Sequence, residues 1–105
     1  MSDDWTRHAD LVDALRRAVF ESPGETDPGL RRAAGSGDPL PEPWTGYAET
    51  VRDHSYCVTD GDIAALKAAG RTEEEIFEIT VAVATGAALH RLDAGLRAVR
   101  GGAGT

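Results

Sequence analysis

Apolar residues recur every three or four positions along most of the chain, and no stretch alternates as a half-buried strand would. This pattern predicts a first helix over residues 5–20 with one buried face. The apolar positions of that face are Leu11, Ala14, Leu15, Ala18 and Val19. Asp27 and Pro28 then open a short helical turn, since proline is favoured at the first helical position. Residues 35–43 follow as a surface strap, because three prolines and two glycines do not sustain a regular element.

The helical period returns at Trp44 and Tyr47 and continues to about residue 57. These two aromatic residues lie one turn apart, which is typical of core packing and also suits the wall of a small apolar pocket. Thr59 and Asp62 then form a capping-box pattern, in which a threonine is followed three residues later by an acid. The short helix that they start is predicted to end at Gly70 in a left-handed cap.

A second capping box, at residues 72–75, starts the longest predicted helix, which ends near Val99. Its middle, residues 81–88, is small and apolar on every side, which indicates a central or interface helix. The acids at its start suit the positive end of the helix dipole. Residues 100–105 are predicted to form a flexible tail. The expected fold is therefore all-α, one domain of about five helices that spans residues 1–105.

The composition narrows the function classes. The 105 residues carry a formal charge of -7, whereas nucleic acids and anionic membranes attract clustered positive charge. No apolar run approaches the roughly 20 residues that span a bilayer. The acidic start of the chain is unlike a signal peptide, and a single cysteine suits a reducing compartment, so we expect a cytoplasmic protein without nucleic-acid or membrane partners.

The candidate chemistry lies at the helix junction "HSYC", where Cys57 follows His54 by three residues. Cys57 precedes a helix start, which favours a thiolate, and His54 would share its helical face as a base. The alternative is a small apolar cysteine beside a surface histidine. His90 and Asp93 are also three apart, but a hydrogen bond on the helix surface explains them as well as a metal would. We therefore expect no metal and no cofactor.

The segment "GRTEEEIFEITVAVATGAALHRL", preceded by "DIAALKAAG", resembles the carboxymuconolactone decarboxylase and alkylhydroperoxidase-D-like (AhpD-like) superfamily. The resemblance covers residues 44–99, and residues 1–43 match the N-terminal helix and strap of its short members. It implies an all-helical subunit that forms trimers or hexamers. In the redox branch of the family, a Cys-x-x-Cys pair, a histidine and an upstream glutamate reduce hydroperoxides. In the decarboxylase branch, a different polar pocket processes a lactone.

The family's redox residues transfer poorly to this sequence. With Cys57 on the second cysteine, the first cysteine position falls on His54, the histidine on Gly61 and the glutamate on Glu42. With the register set by Gly70 instead, the histidine position falls on Asp62. The cysteine positions then fall on two other residues, Ser55 and Val58. Neither register restores the Cys-x-x-Cys pair or the family histidine.

Three functions remain open from the sequence. The first is a redox-degenerate family member that works as a binding or structural subunit or acts on an unidentified small molecule. The second is a thiol-dependent hydroperoxidase that uses Cys57, with His54 and Glu42 as its proton-transfer partners. The third is a decarboxylase or isomerase of a small lactone or carboxylate, which needs no cysteine.

Overall fold

The chain folds into helices alone, and the predicted all-α class is confirmed over the part of the chain that is described. The computed structural model describes the backbone of residues 2–104 and the side chains of residues 7–101. Five α-helices and two shorter helical turns follow one another. They are α1 Ser2–Arg16, a π-helical turn Arg17–Glu21, α2 Pro28–Ser36, α3 Trp44–His54, a 3-10 turn Ser55–Cys57, α4 Asp60–Ala68 and α5 Glu73–Gly104.

The helix starts in the second half of the chain are set by local capping, as predicted. At α4, the Thr59 hydroxyl accepts from the Asp62 backbone N–H, and the Asp62 carboxylate accepts from the Thr59 N–H at 2.9 Å. Thr72 and Glu75 repeat this reciprocal arrangement at the start of α5. Gly70 separates the two helices with a φ of +93°, a left-handed conformation in which glycine carries no Cβ penalty.

Helix α5 is the centre of the domain, because α2, α3, α4 and the π-helical turn all pack on it. One face of its N-terminal half is fully buried and contributes Ile79, Ala82 and Val83 to the core. The remaining core side chains come from the helices around it: Phe20, Ala34, Trp44, Tyr47, Ala48, Val51 and Leu66, together with Ile76 of α5. Trp44 is only 2% exposed, so core packing accounts for it.

The backbones of α2 and α5 touch where they cross. A Cβ atom placed on Gly86 of α5 would lie 2.1 Å from the carbonyl oxygen of Gly35 in α2. A Cβ on Gly35 would in turn lie 2.6 Å from the Phe20 ring. Glycine at position 86 therefore allows α2 and α5 to approach so closely, and glycine at position 35 leaves room for the Phe20 ring.

The prediction that the apolar face of α1 is buried is wrong for the single chain. Leu11 and Leu15 are 61% and 45% exposed, and Ala14 and Ala18 are exposed as well. Only Val19, in the π-helical turn, is partly buried and packs against the core. Asp13 and Arg16 of α1 line a groove to which α2 and α5 also contribute, and the apolar face of α1 stays exposed in the described part of the chain.

The C-terminal end also differs from the prediction. Residues 100–104, expected to form a flexible tail, continue α5 to Gly104, and Thr105 lies outside the described residues. Glycine costs only about 1 kcal/mol per residue in a helix relative to alanine, and no proline interrupts the segment.

Candidate functional site

The "HSYC" junction lies on the surface between α3 and α4. His54 ends α3, and Cys57 is exposed at the end of the following 3-10 turn. The His54 ring contacts Tyr56 edge-on, with ring centroids 6.0 Å apart and Nδ1 3.4 Å from the tyrosine hydroxyl. Within the described residues, no hydrogen bond joins His54 to Cys57. The imidazole is therefore not placed as a base on the thiol.

Glu42, the third predicted site residue, lies in the strap before α3 and is exposed. No hydrogen bond or ion pair within residues 7–101 involves its carboxylate, and none connects it to Cys57. Proton transfer needs partners within hydrogen-bond reach or one water away. The three predicted residues therefore do not form a hydrogen-bonded catalytic group in this structure.

Two acidic residues of α5 have structural partners, and the histidine of this helix pairs with neither. Glu75 closes the capping box at the start of α5, as the sequence indicates. Asp93 lies 3.5 Å from the Arg97 guanidinium, one turn further along the helix. His90 is exposed and is not hydrogen-bonded to Asp93. No group of three or more His, Cys, Asp or Glu side chains among the described residues could hold a metal ion.

A buried arginine and a glutamate hold the loop between the π-helical turn and α2, and sequence reasoning did not identify either role. Arg31 is 3% exposed, and its guanidinium donates to the carbonyl oxygens of Val19, Ser22 and Thr26. From the other side, the Glu78 carboxylate accepts from the backbone N–H groups of Glu25 and Thr26 at 2.9 and 2.8 Å. We call this arrangement the Arg31–Glu78 clamp.

The clamp shifts the ionisation of Glu78. Burial alone would raise the pKa of this carboxyl. The hydrogen bonds from the Thr26 hydroxyl and from the two backbone N–H groups, with the positive charge of Arg31, outweigh burial and lower the pKa below its usual 4.5. Every acceptor bond of this carboxylate serves the fold, so Glu78 is a structural group. The sequence signal for Arg31 is its position three residues before the buried Ala34, on the core side of α2.

An exposed apolar stripe runs along α5, on the side away from its core face. Its members lie three or four residues apart and therefore line one side of the helix. They are Phe77, Val81, Ala84, Ala88, Leu92, Gly95 and Val99. Val81 is partly buried and the other six are exposed, with Phe77 at 63% and Val99 at 69%. At 1.5 Å per residue the apolar stripe is about 33 Å long.

The apolar stripe is uncharged over its whole length. Arg91 directly precedes Leu92 of the stripe, and its guanidinium donates to the carbonyl oxygen of Arg52 in α3 at 3.3 Å. Contiguous exposed apolar surface is typical of protein-interaction sites. It includes three of the eight residues of the small-residue segment 81–88, for which the sequence indicates a central or interface role.

Of the helices within residues 2–104, none combines the length and the apolar character that a membrane-spanning helix requires. The sequence matches no known family model and no curated protein, and the fold matches no solved structure.

Proposed function

We propose that this protein is a redox-degenerate member of the AhpD-like superfamily that works as a self-associating helical subunit. The family resemblance of residues 44–99 supports the first part. The second part rests on one observation, the uncharged apolar stripe on α5. The single thiol fits a reducing compartment, so the proposal places the protein in the cytoplasm.

A second copy of the same chain is the partner that suits the apolar stripe best. In an interface with twofold symmetry, each surface meets its own copy, so a charged surface would meet like charge. The apolar stripe avoids this repulsion because its members carry no charge and Arg91 is held against α3. Twofold pairing through α5 builds a dimer, and in combination with a threefold axis it builds the hexamer that the family resemblance implies.

Leu92→Glu is expected to weaken self-association by at least about tenfold, since it places a charge in the middle of an apolar contact that pairs with its own copy. Leu92 is 47% exposed in the single chain, so the substitution leaves the core intact. Sedimentation velocity at micromolar concentration measures the effect. Ala94→Glu is the matched control, because Ala94 is also exposed but lies outside the apolar stripe. A wild-type protein that is monomeric at micromolar concentration would contradict the proposal.

The same proposal predicts that the protein does not turn over hydroperoxides. Cys57 is exposed, but His54 contacts Tyr56 and is not placed to activate the thiol, and the chain has no second cysteine. Dithiothreitol can resolve a sulfenic acid from outside, so the assay tests whether Cys57 attacks the peroxide at all. Wild type and Cys57→Ser are expected to consume cumene hydroperoxide at the same background rate with dithiothreitol as reductant. Turnover by the wild type that disappears in Cys57→Ser would instead establish the thiol-dependent hydroperoxidase.

A further inference from the structure

An open groove lies between the C-terminal end of α1, helix α2 and the middle of α5. Its volume is about 640 Å³, within the range of roughly 300–1,000 Å³ that is typical of small-molecule sites. It is remote in sequence from the "HSYC" junction, which contributes no residue to it. Neither the family resemblance nor the proposed function uses this groove.

The floor of the groove is apolar and follows from the helix crossing. Gly35 and Gly86 line the groove where the backbones of α2 and α5 touch, so backbone forms the floor at this point. Phe20 and Leu89 form the apolar walls on either side and are only 8% and 7% exposed. The shape is thus formed by packed backbone and buried side chains, which makes the groove largely preformed.

The rim of the groove carries three arginines and three acids, and the ion pairs that they form in the described part of the chain leave two guanidinium groups unpaired. Two ion pairs involve rim residues. The Arg32 guanidinium lies 2.6 Å from the Glu21 carboxylate, and Asp93 is paired with Arg97. Arg16 and Arg17 also line the groove, and neither guanidinium takes part in an ion pair among the described side chains. Asp13 is the one acid on the rim without such a pair among residues 7–101, so two free cations face one free acid in a chain of net charge -7.

We propose that this groove binds a small organic anion with an apolar body, such as an aromatic carboxylate. The planar forks of Arg16 and Arg17 would receive the carboxylate, because guanidinium groups match its two oxygens. The aromatic ring would lie against Phe20 and Leu89, which removes its apolar surface from water. The groove thereby supplies both halves of an amphipathic anion site: apolar lining and two guanidinium groups that are unpaired among the described residues.

Benzoate is a suitable probe, and its binding can be located by nuclear magnetic resonance on the full chain. Millimolar benzoate is expected to produce saturable amide shifts at Gly35, Gly86 and Leu89. Benzamide has the same ring without the charge and is expected to bind at least about tenfold more weakly, because a charge-assisted hydrogen bond contributes more than a neutral one.

The double variant Arg16→Gln/Arg17→Gln is expected to lose at least about tenfold in benzoate affinity and to keep its helical circular dichroism spectrum, since both side chains are exposed. Lys67→Gln/Arg91→Gln removes the same net charge outside the groove and is expected to bind as the wild type does. Absence of saturable shifts, equal affinity for benzamide, or equal losses in the two double variants would overturn the proposal. A change only in self-association, without benzoate shifts, would overturn it as well.

Discussion

Gly86→Ala is expected to lower the free energy of unfolding by about 3 kcal/mol, although alanine is the better helix former. The new Cβ would lie 2.1 Å from the Gly35 carbonyl oxygen and 2.5 Å from its Cα. Both atoms belong to the backbone, so no change of rotamer relieves the overlap and α2 must move away from α5. That movement opens the core around Ala34 and Ala82, which are fully buried. Urea unfolding followed by circular dichroism measures the loss.

The matched control is Gly46→Ala in α3, where an added Cβ would meet no heavy atom within 4 Å. This variant is expected to gain about 0.5–1 kcal/mol, since glycine in a helix is destabilising relative to alanine. The two substitutions are chemically identical, but their effects on the free energy of unfolding should have opposite signs. Only the Cβ at position 86 meets backbone atoms of another helix. If Gly86→Ala were as stable as Gly46→Ala, the close crossing of α2 and α5 would be wrong.

Local chemistry explains why the sequence predicts most of the helix boundaries. Thr59 reaches its partner Asp62 three residues away, and Thr72 reaches Glu75 across the same distance. Gly70 adopts its left-handed conformation because glycine lacks a Cβ, which is also a local property. Interactions within one turn of helix are encoded by residue type and spacing, so they can be predicted without knowledge of the tertiary fold.

The relation between helices could not be predicted in the same way. The exposed side of α1 depends on how this helix is placed against the rest of the domain. The spacing of Leu11 and Leu15 indicates core residues, but both are exposed. Gly86 is one of 12 glycines, and only the crossing distinguishes it from those with open space around them. Long-range contacts such as Gly35 to Gly86 leave no periodic signal in a single sequence.

At the candidate site, too, the sequence predicts which residues are neighbours but not how their side chains are oriented. The sequence identifies Cys57 and His54 as neighbours in a helix junction, and the structure places them there. Whether the imidazole points at the thiol or at Tyr56 is decided by the dihedral angles at the end of α3, where His54 leaves helical geometry with φ of -146°. Residue spacing assumes a continuous helix through position 57, and the change to a 3-10 turn breaks that assumption.

Arg31→Met is expected to cost about 3 kcal/mol, because a buried cation that satisfies three carbonyl oxygens is replaced by an apolar chain. The oxygens of Val19, Ser22 and Thr26 lose their donor in a place that water reaches poorly. Glu78 simultaneously loses the positive charge that helps to stabilise its carboxylate. For a domain of this size, such a loss lowers the Tm by roughly 12–24 °C.

Arg32→Met is the control for this substitution, since it changes the adjacent arginine. The Arg32 side chain is 53% exposed and has one surface ion pair, with Glu21. Surface pairs contribute up to about 1 kcal/mol, so Arg32→Met should unfold within a few degrees of the wild type. Equal losses in the two variants would show that Arg31 does not hold the loop.

The Arg31–Glu78 clamp also predicts how stability changes as the pH falls. This pH dependence shows whether the charge of Glu78 contributes to stability or only its packing does. Because folding lowers the pKa of Glu78, its contribution is present above the unfolded value near 4.5 and is lost as pH falls through the folded pKa. Glu78→Gln lacks this titration, so the stability difference between wild type and Glu78→Gln should be largest near neutral pH and shrink below pH 4.5. Urea unfolding of both proteins across this range measures the difference. A difference that stays constant into acid would show that packing and hydrogen bonding alone, without the carboxylate charge, account for the stability of the loop.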